Sequence, residues 1–483
     1  MKKRTLAAAL LPLALLFLLL LEGCDPEARL RAQQERYRDS LAQLRDPQYT
    51  AKVYYRDYFF NPYYYWLENR WAYAKSVQPT AYSDIYAYFD DLLWEKDRWS
   101  WMCDGASFAS SESGILRGSY GVSLGQPMEY YGDYSIRVAY VYPGSPFARE
   151  GVTRGWALTH IAGQPVMDLL RTKEFDAAYN KSPQTFTLED LAGNSHTFTA
   201  SLEELSVSPV MKTAVFTAAD FPGLSEPVGY FNYLSFKANF LTDIDNAMAT
   251  LKAANVRYLI LDLRYNGGGD SRASQRLVDW IAPASAVGEV YVRRAHNKRL
   301  SRYDVDNKVE GKPNALNLKR LYVITGEGTA SASEMITNGL RPLMDVKMVG
   351  DTTYGKPNGM YVLLYPDTKE DQARYDKGDY SKLEWVFLPI AFYNKNRDGE
   401  SIPDDGFVPD NYRPDDYFHD FTPEEDNIRA CLTHIATGAF PALPTVEEPL
   451  RSTSHSGVRF LSAPERDPHY GLDLIRTLPG ESR

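Results

Sequence analysis

"TGEGTASASEMITNG", Thr325 to Gly339, follows the apolar run "LYVI" and sets two serines, Ser331 and Ser333, where a strand turns into a helix. Ser331 with Glu334 three residues on is a capping box, a pair that satisfies helix N-terminal amides and needs no catalytic role. That account leaves the small residues around the pair, Gly326, Gly328, Ala330 and Ala332, unexplained. Small residues let a backbone approach another chain closely. A serine at a helix N-terminus also has backbone N–H groups aimed where an oxyanion forms. The stretch therefore reads as a nucleophile turn, on condition that the chain supplies a base.

The seven histidines are His160, His196, His296, His419, His434, His455 and His469, and none sits in a glycine-framed turn built to present it. No histidine triad is read. The other chemistry is a lysine desolvated until its amine is neutral. Lys356 is the candidate, in "MVGDTTYGKPNGMY", a strand followed by a glycine-bracketed loop, 25 positions after Ser331. A solvated loop lysine is the competing reading.

Outward from these two turns, "VGYFNYLSF" alternates like a strand and "NFLTDIDNAMATLKAAN" has helical spacing. "VRYLILDLR" is a buried strand by its continuous apolar residues. It runs into "YNGGG", which holds neither a G-x-G-x-x-G fingerprint nor a Walker lysine-serine pair, so nucleotide binding is not read. Asp262 and Arg264 read as structural. Residues 205–438 thus form an α/β unit. Residues 105–204 change to short alternating stretches broken by glycine and proline. Residues 24–104 are polar and rich in tyrosine and tryptophan at near-helical spacing, which indicates a small helical domain with an aromatic core. Residues 439–483 drift to Pro, Ser, Glu and Arg without periodicity and read as a poorly ordered or peripheral tail.

Two resemblances follow. "GSYGVSLG", "PGSPFAREG" and "IAGQPV" together are similar to a bacterial, protease-associated PDZ domain. This implies capture of a peptide C-terminus by backbone amides near Tyr120, Gly121 and Val122, the peptide adding as a strand to a sheet edge. "LILDLRYNGGG", "GTASASE" and "VGDTTYGK", in this order and spacing, resemble the carboxyl-terminal processing, or tail-specific, serine proteases. The resemblance implies an α/β multidomain chain: a ββα-type core of the crotonase/ClpP-like kind with an inserted PDZ-like β domain and a small N-terminal helical domain. It implies Ser331 as nucleophile, Lys356 as base, and an oxyanion hole from the N–H of Ala332 and of Gly267 or Gly268. Family members carry a glutamine four residues after the lysine, where this chain has Met360.

A formal net charge of −10 with no basic block argues against nucleic acid as partner. No metal or organic cofactor is implied, because no ligand cluster has metal spacing. Residues 1–23, three basic residues and an apolar run, read as a secretory signal. Leu21-Glu22-Gly23-Cys24 resembles a lipobox, with Cys24 lipidated and Glu22 atypical for the motif. Cys103 and Cys431 remain, and nothing in the sequence pairs them. The expectation is a lipid-anchored envelope peptidase, periplasmic or on the outer-membrane surface, acting on proteins or peptides with free C-termini; its oligomeric state is not read. The alternative is a catalytically silent, tethered peptide-binding protein, which Met360 keeps open.

Overall fold

The computed structural model describes residues 45–125, 128, 132–443 and the strand Asp473–Ile475. The signal segment and Cys24 lie outside the described residues.

Alternation within the apolar runs decides how the central sheet is covered. Phe231, Leu259, Leu261, Leu321 and Val323 point to one face, where they meet helices Leu241–Ala253, Ser271–Ile281 and Ala332–Leu340. Tyr230, Ile260, Tyr322 and Ile324 point to the other and meet helix Asp426–Thr437. A strand buried on both faces has no polar side to show, hence the continuous apolar sequence. The sheet has six strands in the order Val210–Phe216, Val228–Tyr233, Tyr258–Asp262, Arg320–Thr325, Val346–Gly350 and Asn411–Tyr412. All pairings are parallel except that of the first strand.

A second six-stranded sheet runs Gly269–Asp270, Asp473–Ile475, Asn358–Tyr361, Ile390–Lys395, Val290–His296 and Val305–Lys308. Its second member lies in the segment that composition alone marks as peripheral. The pairing is backbone to backbone and needs no hydrophobic period, so the sequence pattern does not announce it.

The N-terminal aromatics do form a core. Tyr55, Phe60, Tyr64, Tyr88 and Phe89 are fully buried, and helix Tyr49–Tyr54 passes through a π turn, Tyr55–Phe60, that carries two of them. The core is shared, because Tyr361, Leu363, Phe387 and Phe392 complete it. The Tyr55 ring stacks on Phe387 at 4.5 Å. Cys103 and Cys431 are free and buried, in different apolar clusters.

Between these parts, residues 115–206 build short sheets around Tyr120, Phe147, Ile161, Phe186 and Leu188. The strands Gln184–Glu189 and Ser195–Ala200 and the helix Val166–Thr172 belong to it. This body is tied to the α/β unit by Arg154. Its guanidinium donates to Asp415 Oδ1 at 2.8 Å, to the Tyr265 hydroxyl at 2.6 Å and to the carbonyls of Asp416 and His419 at 3.0 Å. Arg264, 4% exposed, completes the network with bonds to Asp262, Asp415 and Glu425.

A buried cation persists only with such partners. Burial pushes the Asp415 carboxyl up, but Arg154 and Arg264 outweigh it and hold the group down at about 2. A depressed carboxylate contributes stability above its unfolded value of about 4, lost as pH falls through about 2. Stability measured by denaturant is expected to fall across that window, and Asp415→Asn to flatten the fall. Arg264→Ala, which removes the cation that Asp262 and Glu425 hydrogen-bond, is expected to lower stability by about 3–5 kcal/mol in the same measurement.

Candidate active site

Three turns leave the same end of the parallel sheet. Asp262 pairs with Ile324, and Thr325 with Gly350, so the loops that follow these strands emerge side by side at their carboxyl ends. That edge is where open α/β sheets form their ligand crevices. The loops are stitched together. Thr329 Oγ1 donates to the Leu263 carbonyl at 2.8 Å, and the Tyr354 N–H donates to the Thr329 carbonyl at 2.9 Å. Ser333 Oγ donates to the Asn266 carbonyl at 2.9 Å, so the second serine of the opening stretch serves a structural bond.

Ser331 differs. It is fully buried and its backbone sits at φ 54°, ψ −111°, a region that L residues avoid and that costs of order 1–3 kcal/mol. Its N–H donates to Glu334 Oε2 at 2.9 Å, so the pair stands in capping-box positions. The Ser331 Oγ faces the Glu334 N–H in this capping box without completing a hydrogen bond.

Glu334 does more than cap. The same Oε2 accepts the Lys356 N–H at 2.9 Å, while Oε1 accepts the Gly355 N–H at 2.8 Å and Thr353 Oγ1 at 2.5 Å. One fully buried carboxylate therefore joins the serine turn to the lysine turn. Burial pushes its pKa above the ordinary carboxyl value, and the four donors pull against that shift. Lys356 is 1% exposed, so the solvated-loop reading does not describe it.

The glycine turn lies directly on the serine. At Gly268, φ +107°, an added Cβ would stand 2.9 Å from Ser331 Cβ and 3.0 Å from the Ala332 nitrogen. The Gly268 N–H donates to Asn266 Oδ1 at 2.9 Å, and Asn266 Nδ2 donates to the Tyr233 carbonyl at 2.8 Å. Asn266 thus fixes the turn from both ends of its amide.

Met360 is fully buried in an apolar cluster with Cys103, Phe108, Val362 and Ile390. A thioether suits that surrounding. Tyr120, Gly121 and Val122 belong to the 115–206 body. The Tyr120 ring packs against Phe147, Tyr179 and Phe186, the Gly121 N–H donates to Ser119 Oγ at 3.0 Å, and Val122 opens a strand paired on one side with Val138–Val141. The five described histidines are engaged elsewhere: His160 with Thr159, His196 with Asp190, His296 with Asp304 and Tyr361, His419 with Asp416, His434 with Tyr322.

Sequence reasoning did not reach Glu334 as a link between turns, nor Thr353 or Asn266. The capping box was visible, but the donors from residues 353–356 are backbone or hydroxyl groups that leave no spacing signal.

Residues 227–410 match the family model described as Peptidase family S41. The chain is 28% identical over 259 residues to the chloroplastic carboxyl-terminal-processing peptidase 2 of Arabidopsis thaliana, covering 52% of this chain and 47% of that protein. It is 30% identical over 159 residues to the carboxyl-terminal-processing protease of a Synechocystis species, covering 33% of this chain and 34% of the relative. The chain thus spans less than half the length of these relatives. A crystal structure of a putative S41 protease from Bacteroides fragilis superimposes with a TM-score of 0.60 at 20% identity, over 80% of this chain and 97% of that one. The mixed α/β fold with several sheets is shared.

Because Ser331 holds a strained backbone, Ser331→Gly is expected to raise stability by about 1 kcal/mol in a denaturant titration. An unchanged or lowered midpoint would remove the strain from the account. Gly268→Ala is expected to act in the opposite direction, since its Cβ meets the serine turn.

Proposed function

We propose that the protein is a serine endopeptidase that hydrolyses peptide bonds with Ser331 as nucleophile and Lys356 as general base. One observation carries this reading: Glu334 Oε2 accepts the N–H of both Ser331 and Lys356 at 2.9 Å, which fixes two residues 25 positions apart around one buried atom. The unpartnered Ser331 Oγ is left for a reacting carbonyl and a base.

In this mechanism the neutral Lys356 amine takes the Ser331 proton as Oγ attacks the carbonyl carbon. Negative charge gathers on the carbonyl oxygen, where the amide of Ala332 at the helix start receives it together with that of Gly267. Of the two glycines in the expectation, Gly268 spends its N–H on Asn266 and contributes shape. The Lys356 ammonium returns its proton to the leaving amine, and water releases the acyl-enzyme by the same steps.

The 105–204 segment serves as a PDZ-like reader of substrate C-termini, with backbone groups of Tyr120, Gly121 and Val122 at the carboxylate. The strand Val122–Leu124 pairs with only one neighbour among the described residues, which leaves an edge for a peptide strand. Because Ser119 Oγ already holds the Gly121 amide, the carboxylate is received by the amides beside it. A signal at 1–23, lipidation at Cys24 and an envelope location belong to the same proposal. Among the described residues no helix is long and apolar enough to cross a membrane.

The test is cleavage of an unfolded protein with an apolar C-terminal tail between pH 6 and 10. The parent is expected to cut faster as pH rises and the lysine deprotonates. Ser331→Ala and Lys356→Ala are expected to lose at least about 10³ in kcat. A parent as inert as both variants, yet still binding the tail, would overturn the peptidase in favour of a peptide-binding protein. Amidating the substrate's terminal carboxylate is expected to raise KM about tenfold with little change in kcat; an unchanged KM would remove the C-terminal reader.

A further inference from the structure

Between the oxyanion turn and the lysine strand lies a gap one strand wide, and a segment of this same chain fills it. Gly269–Asp270 and Asn358–Tyr361 do not pair with each other. Each pairs in parallel with Asp473–Ile475: Gly269 with Asp473, Asp270 and Met360 with Leu474, Tyr361 with Ile475. The far edge of Gly269 is closed by Phe236, whose N–H donates to the Gly268 carbonyl at 2.9 Å and whose carbonyl accepts the Asp270 N–H at 2.8 Å. The two flanking strands therefore stand about 10 Å apart, twice the spacing of neighbouring strands. One flank directly follows the Gly267-Gly268 turn, and the other begins two residues after Lys356.

An extended chain in this gap has ladder partners on both sides while it passes between the two halves of the site. Such a slot reads backbone and accepts varied side chains, as strand addition does in peptide recognition. We propose that the slot is the substrate-strand site and that Asp473–Ile475 occupies it in cis, so that the chain's own distal segment competes with substrate until displaced. The inference rests on the peptidase reading for its consequence, but the occupancy is independent of the chemistry. By mass action, a tenant tethered to the same chain reduces the apparent affinity for any incoming strand by the fraction of time that the slot stands open.

The experiment titrates a fluorescent peptide with the sequence of residues 469–480 against the full chain carrying Ser331→Ala, with and without Leu474→Pro. Proline at 474 deletes a backbone donor in a strand paired on both sides, and Ser331→Ala protects the peptide from cleavage. The Leu474→Pro chain is expected to bind the peptide about tenfold more tightly than the chain with Leu474. Equal binding by both chains, or binding by neither, overturns the proposal. This reads the slot alone, so an inactive parent would defeat the peptidase reading and leave the occupancy standing. With Ser331 in place, Leu474→Pro and Ile475→Pro are expected to cleave an unfolded protein with several-fold higher kcat/KM, and the peptide to inhibit them competitively. Loss of cleavage with a lowered melting temperature in both variants would identify the strand as a fixed part of the sheet and overturn the competition.

Discussion

A carboxylate removed from water must be satisfied several times over, and Glu334 is satisfied by donors from both sides of the site. Two backbone N–H groups share one of its oxygens, while a third N–H and a hydroxyl share the other. Each donor belongs either to the serine turn or to the 353–356 loop, so neither can shift without leaving a buried charge short of a partner. The strained backbone at Ser331 persists because this bond and the glycine turn pressed against its Cβ over-determine it.

A second buried cluster works at longer range. Arg264 follows the strand that enters the glycine turn, and its carboxylate partners come from the same strand, from Asp415 and from the start of the last helix of the α/β unit. Arg154 reaches into this cluster from the 115–206 body. The position of that body is thereby referred to the base of the glycine turn through side chains largely withdrawn from solvent.

What could be read from the sequence was whatever repeats or clusters locally. The run Val256–Arg264 announced a doubly covered strand because both faces are apolar. "NGGG" announced a close backbone approach, and "SASE" with "YGK" announced a serine and a lysine in suitable turns. The remainder lacked any local signal. Glu334 looked complete as a cap, and its bonds to the other turn depend on how two loops stack. The Asn266 bond that occupies Gly268's amide is a matter of turn geometry. Asp473–Ile475 carries no pattern because a strand paired on both edges by backbone needs none. Met360 stands where a polar side chain is expected from the motif, and only its apolar cluster accounts for a thioether there.

The aromatic core near the N-terminus has a bearing on how the chain reaches this fold. Tyr55 rests on Phe387, and the cluster around it also draws on Tyr361, Leu363 and Phe392, so one face of the helices that carry it stays open until the chain has been made past Phe392. Closing so long a loop costs entropy before any contact offsets it. The N-terminal aromatics can pair among themselves, as Tyr55 does with Phe89 and Phe60 with Tyr64, but the face that meets Phe387 stays open until the distal strands arrive, the condition in which unfinished chains stick to one another.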